Sequence, residues 1–167
     1  MTRPYRPLAI ANEFIIRAAP DGAEHMKLQK LVYYVYGWWL AYEDAPLISE
    51  KPQVWQHGPV FKTLYHALKH HGREPIRTAQ SDNPFAKPPK VDPADQKALD
   101  LIDWVWERYG SYSSFDLSDM THSPGSAWYI VAEENNWRVR GETPIPDRVI
   151  RSVFRKEADD LGIEIGA

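Results

Sequence analysis

The side chains with the most chemical capacity sit in a few short stretches of this 167-residue chain. His66 and His70 stand four apart in a helical pattern, the spacing that lets two imidazoles share a metal ion. No Glu follows His66 in the metalloprotease manner, and two ligands do not complete a site, so both read as a solvated helix end. Asp116, Asp119, His122 and Ser123 supply the residue types of a nucleophilic triad. A triad is defined by geometry and not by proximity in sequence. The chain has neither a G-x-S-x-G elbow nor a Gly-rich oxyanion loop, so His122 reads as a buried or capping residue before it reads as a base. The paired carboxylates Glu133-Glu134 and Asp159-Asp160 read as solvated faces. Phosphate cradles of the G-x-G-x-x-G or Walker type are absent. Arg138, Arg140, Arg148, Arg151, Arg155 and Lys156 make the C-terminal third locally basic, with Arg148, Arg151 and Arg155 able to share a helix face. Set against a net charge of −3, that face is expected to be a soluble surface and not a phosphate-binding one.

Three features resist so bland an account. Lys27-Leu28-Gln29-Lys30-Leu31 sets Gln29 beside an otherwise apolar face. Trp55-x-x-Gly58-Pro59-Val60 pins a rigid turn before a helix. Thr121-His122 precedes Trp128 by a short loop. A buried Gln or His has to find hydrogen-bond partners, which makes such residues informative.

The elements that must position them read as mostly helical. Leu8 to Ala19 forms a first helix, stopped by Pro20-Asp21-Gly22. His25 to Asp44 gives the strongest signal: Leu28, Leu31, Val32, Val35, Trp38, Trp39 and Tyr42 fall in one stripe, and Tyr33, Tyr36 and Leu40 extend it. Only a narrow strip of Lys27, Lys30, Gly37 and Ala41 remains, which marks a buried central helix. Gly37 weakens helix propensity, and its missing side chain is expected to admit a close neighbour. Val54-Trp55 reads as a short strand, with Pro59 opening a helix that runs from Phe61 to His71. Arg73 to Pro93 carries five prolines and reads as a long surface excursion or a hairpin, and as the least ordered part. Further helices are expected over Pro93 to Tyr109, from a Ser113 or Ser114 cap to Met120, over Pro124 to Asn135, and over Pro146 to Leu161. The expected fold is mainly α: one compact helical domain, residues 1–167, with a long Pro-rich loop or short β-hairpin between helices.

Composition narrows the function classes. With 43% apolar and 26% charged residues the chain is globular. It has no cysteine, which excludes disulfides, thiolate metal sites and a cysteine nucleophile. Seven tryptophans and nine tyrosines are many for this length, and such residues serve both cores and interfaces. No apolar run approaches a membrane span, and the N-terminal residues lack a signal-peptide pattern, so a soluble, cytoplasmic protein is expected.

The stretch Met26 to Tyr34, then Gly37-Trp38-Trp39-Leu40-Ala41, then Trp55-Gln56-His57-Gly58-Pro59-Val60 with Leu64-Tyr65, resembles the Panacea (SocA-like antitoxin) domain. Tyr109-Gly110-Ser111-Tyr112-Ser113, Leu117-Ser118, Thr121-His122 and Trp128 match its second half in order and spacing, and the resemblance spans about residues 8–155. It implies a largely helical antitoxin, with no catalytic residues and no cofactor or metal. Its partner would be a cognate toxin, neutralised by direct contact. The SocA type within the family implies a second partner, the ClpXP protease, for an adaptor that delivers the toxin. The apolar tail Ile163 to Ala167 would suit such docking. No membrane contact is implied, and nucleic acid is not expected for the isolated chain. An enzyme centred on His122 with Asp116 or Asp119 is the remaining alternative. Leu28, Gln29, Leu31, Thr121, His122 and Trp128 are expected to be structural. Lys27, Lys30, Tyr34, Trp55, His57, Gly58, Pro59 and Tyr65 are expected to meet the partner.

Overall fold

The computed structural model describes residues 2–164; the tail residues Ile165 to Ala167 and the side chain of Arg140 lie outside the described residues. Among the described residues seven α-helices follow in the order α1 (Pro7–Ala18), α2 (His25–Tyr42), α3 (Lys62–Leu68), α4 (Gln96–Tyr109), α5 (Ser114–His122), α6 (Ala127–Glu134) and α7 (Asp147–Leu161). A small antiparallel sheet joins them: β1 (Gln53–Trp55), β2 (Gly58–Val60) and β3 (Arg140–Pro144), in spatial order β2-β1-β3. The fold is thus mainly α, as expected. The hairpin is β1-β2, with Val54 opposite Pro59 and Trp55 opposite Gly58.

Helix α2 is the axis of the molecule. Every residue from Leu28 to Ala41 is buried, and α1, α3, α4, α5, α7 and β2 all pack on it. Of the narrow strip left over by the sequence pattern, Lys30, Gly37 and Ala41 are therefore covered too, and Lys27 is half-buried. Lys30 lies under β2 and Gly37 under α7, where an added Cβ would fall 2.1 Å from the Phe154 ring. The glycine lets α7 seat Phe154 directly on the α2 backbone. There the ring meets Tyr33, Tyr34 and Trp38 edge-on, at centroid separations of 5.8, 6.1 and 5.3 Å. Tyr34 stacks on Tyr109 of α4 at 3.8 Å, and Tyr109 accepts a hydrogen bond from Trp38 Nε1 at 2.9 Å.

Helix ends show what the chain does with unpaired main-chain groups. Asp95 caps α4 and is itself held by Arg3 and by the Tyr5 hydroxyl, and the Arg3 guanidinium is the main cause that lowers its carboxyl to about 2. Ser113 caps α5, and Ser126 caps α6, which therefore begins later than Pro124. The α2 C-terminus has no basic residue of its own. Arg151 and Arg155 of α7 serve it instead, Arg151 donating to the carbonyls of Leu40 (3.0 Å) and Asp44 (2.9 Å) and Arg155 to that of Ala41 (3.3 Å). Arg151 and Arg155 thus also serve a helix end, while Arg148, Arg155 and Lys156 are exposed in the expected manner.

Two expectations are corrected, and one element is new. Pro59 does not open α3; it lies in edge strand β2, where a residue without an N–H is tolerated. Arg73 to Pro93 forms no hairpin: its one strand-like contact is the bridge of Ile76 to Ala23, and the buried Asn12 side chain ties its far part to α1. The third strand, β3, has no counterpart in the sequence reading, because Arg140 to Pro144 carries no apolar alternation.

Gly37→Ala is expected to lower unfolding free energy by about 1–3 kcal/mol, the usual range for overpacking. Urea denaturation of Gly37→Ala, Phe154→Ala and the double variant checks this. The double variant should lose less than the sum, because the clash disappears with the ring.

Candidate functional site

The motif residues converge on one segment, the main chain from Trp55 to Phe61. Four alternate carbonyls along it each accept a hydrogen bond from a side chain elsewhere in the fold. Trp55 accepts from Trp128 Nε1 of α6 at 2.8 Å, and His57 from Ser118 Oγ of α5 at 2.6 Å. Pro59 accepts from Lys30 Nζ at 2.9 Å, and Phe61 from Gln29 Nε2 at 3.3 Å, both from α2. Gln29 Oε1 also accepts from the Phe61 N–H at 2.9 Å, so one amide side chain pairs with both main-chain groups of Phe61. The edge strand β2, hydrogen-bonded to β1 on one side, is finished on the other by two polar side chains from an otherwise apolar helix.

The remaining motif residues support this staple. Thr121 is buried with its hydroxyl returned to the Leu117 carbonyl (2.9 Å), and it bounds Gly58. A Cβ at Gly58 would lie 3.0 Å from both Lys30 Nζ and Thr121 Oγ1, and φ there is +112°, so glycine is required twice over. His122 hydrogen-bonds the Ser118 carbonyl and lies edge-on to the Trp128 ring at 5.3 Å. Among the described residues no hydrogen bond joins His122 to Asp116 or Asp119, and no cluster of three metal-ligating side chains forms around His66 and His70.

Burial sets the charges. Desolvation pulls the Lys30 ammonium down to about 7, and no carboxylate lies within ion-pair distance of it among the described residues. His25, also desolvated and facing the Lys30 charge, falls to about 4 and is neutral near pH 7, so its Nε2 can accept the second Gln29 N–H at 3.1 Å. Burial also lowers Lys27, whose Nζ reaches the Gly110 carbonyl at 2.5 Å and so caps α4 from outside.

Of the residues expected to meet a partner, the structure divides the set. Lys30, Tyr34, Gly58 and Pro59 are buried and present nothing to solvent, because β2, α4 and α5 cover that side of α2. Lys27 is half-buried. Trp55 and Tyr65 are half-buried and pack together at 4.9 Å, and His57 is exposed at the tip of the β1-β2 turn. Leu28, Gln29, Leu31, Thr121 and Trp128 are buried, His122 half-buried. Sequence reasoning quoted Ser118 within a motif without giving it a role, and passed over His25. The signal for Ser118 was a hydroxyl one turn before Thr121-His122; for His25, a position four before Gln29 on the same helical face.

A pH effect follows from Lys30. Its ammonium is at about 7 in the folded chain against 10.5 for the free group, so between these values the unfolded chain holds more protons and stability rises with pH. Urea titrations from pH 7 to 9.5 are expected to show that rise in the wild type. In Lys30→Met most of it should vanish, leaving the smaller contribution of Lys27. The window stops short of about pH 10, where the buried tyrosines Tyr33, Tyr34 and Tyr36, held protonated by burial, reverse the slope.

Three comparisons with known proteins bear on this arrangement. A family model described as antitoxin SocA-like, Panacea domain, matches residues 28–129, which include Gln29, Lys30, the whole β1-β2 hairpin, Ser118, Thr121 and Trp128. The chain is similar to the curated protein Antitoxin SocA of Caulobacter vibrioides (strain NA1000 / CB15N), at 26% identity over 167 aligned residues, covering 95% of this chain and 87% of that one. No solved structure matches. The hairpin held between α2, α5 and α6 by these side chains is thus the part of the molecule that the match encloses, and the chain belongs to the SocA-like antitoxin, Panacea domain family.

Proposed function

We propose that this protein is the antitoxin of a toxin–antitoxin pair and neutralises its toxin by direct protein–protein binding, without catalysis. The single observation that carries the reading is the family match across the hairpin and the elements that hold it. The geometry is compatible with it in a specific way. The motif's polar side chains are consumed in holding main chain, and the His122 ring is engaged by Ser118 and Trp128. What is left on the outside is a pinned turn with His57 at its tip and the Trp55–Tyr65 pair beside it. Preorganised turns and half-exposed aromatics are the usual ingredients of a protein interface. Helix α5, which holds the turn through Ser118, adds exposed Phe115 one turn earlier and Tyr112 just before its cap. No helix among the described residues is long and apolar enough to cross a membrane.

The finer alternative, delivery of the toxin to ClpXP, needs a second docking element. The tail expected to provide one is described only to Glu164, where Ile163 is half-buried and its N–H bonds the Ala158 carbonyl at 2.8 Å.

The test is co-expression with the product of the adjacent reading frame. That product alone is expected to arrest growth; together the two should grow and co-purify. His57→Ala and Tyr65→Ala are expected to weaken the complex while leaving the melting temperature of the free protein within a few degrees, since both side chains reach solvent. A harmless neighbour, or one that never co-purifies, defeats the reading.

A further inference from the structure

The excursion between α3 and α4 contains a feature that neither the core nor the hairpin uses. Asn12, fully buried on α1, donates to the carbonyls of Gln80 (2.9 Å) and Pro89 (2.8 Å) and accepts from the Gln80 N–H (2.7 Å). One side chain thereby closes the neck of a loop over residues 80–89. Beyond the neck, residues 82–87 are all exposed, so they contribute no burial to folding. Their conformation is nonetheless specified. Ser81 Oγ donates to the Asn83 carbonyl at 2.8 Å and accepts the Asn83 N–H at 3.2 Å. Asn83 Oδ1 accepts the Phe85 N–H at 2.9 Å, and the Ala86 N–H closes a turn on the Asn83 carbonyl at 3.1 Å. Pro84 sets the backbone angle between them. Arg6 braces the side of the loop through Asp82.

At the summit of this turn stands Phe85, 97% exposed. Scattered apolar residues on a surface need no explanation. A phenylalanine held clear of the molecule on a closed neck and a hydrogen-bonded turn does need one, because every part of that scaffold is unnecessary for a solvated side chain. Lys87 and Lys90, flanking it, are exposed and form no ion pair among the described residues.

We propose that Phe85 is an anchor that inserts into an apolar pocket with an acidic rim on the protein partner, and that the 80–89 loop exists to present it. The inference rests on the antitoxin reading and adds a contact surface that the family motifs do not include. Preorganisation is what makes such a knob effective: the turn is ordered before binding, so little conformational entropy is lost on insertion. The lysines meet the rim and speed encounter.

The experiment measures binding of the adjacent frame's product to four forms of the full chain by titration calorimetry and association kinetics. Phe85→Ala is expected to weaken binding about 30-fold or more, the loss typical of a hot-spot residue, with an unchanged melting temperature. Asn83→Ala keeps the ring but loosens the turn, and should weaken binding about fivefold, the worth of one hydrogen bond. The double variant Lys87→Glu/Lys90→Glu should slow association and flatten its salt dependence. Wild-type binding with an undiminished Phe85→Ala affinity overturns the anchor and leaves the antitoxin reading intact. Failure of the wild type to bind overturns both.

Discussion

A strand at the edge of a sheet carries main-chain groups that nothing in its own sheet can satisfy, and in this protein that edge is buried against the central helix. Much else follows from it. Water does not reach β2, so donors have to come from α2, and α2 supplies them at two adjacent positions, Gln29 and Lys30. Lysine is an unusual choice for an interior, since its charge is penalised there. It is also a side chain long enough to reach the Pro59 carbonyl from a helix that passes beneath, and with burial drawing its pKa down to about 7 it can shed the penalised charge. The same constraint reaches further out. Gly58 must lack a Cβ because Lys30 and Thr121 already fill the space, and α5 and α6 must lie where Ser118 and Trp128 can serve the two preceding alternate carbonyls.

The opposite half of α2 is governed by packing. Phe154 on the Gly37 backbone, with three aromatic rings around it, joins α7 to the centre. Arg151 and Arg155 then bond the carbonyls that α2 leaves open at its end. The two halves divide the labour. One makes a stable body; the other clamps a short turn and delivers it to the surface with His57 at its tip. A pinned turn and a separately closed loop fit the proposed binding of a protein, because segments already ordered lose little entropy on contact.

The helices were legible in the sequence wherever one face is apolar, and boundaries differ by a few residues where a cap decides them: Asp95 for α4, Ser126 for α6. The hairpin was visible as a strand and a Gly-Pro turn but not as a hairpin, since Pro59 is as natural at a helix start as in an edge strand. β3 left no pattern. At the site, Gln29, Lys30, Thr121, His122 and Trp128 stood out in the sequence by residue type and pattern, while the direction of Lys30 did not. A lysine off the apolar stripe ordinarily points to water, and only the strand lying over it turns it into an internal donor.

Sequence alone therefore determined which segments are helical, that α2 is central, and which residues carry the family's motifs, because periodicity and residue type are properties of the local chain. Tertiary structure decided which of those residues face inward. Lys30, Tyr34, Gly58 and Pro59 went to the interior, Arg151 and Arg155 to a helix end, and Phe85 to the outermost point of a loop tied by Asn12. Each of these outcomes depends on a partner far away along the chain, and burial is set by what covers a residue as much as by what the residue is.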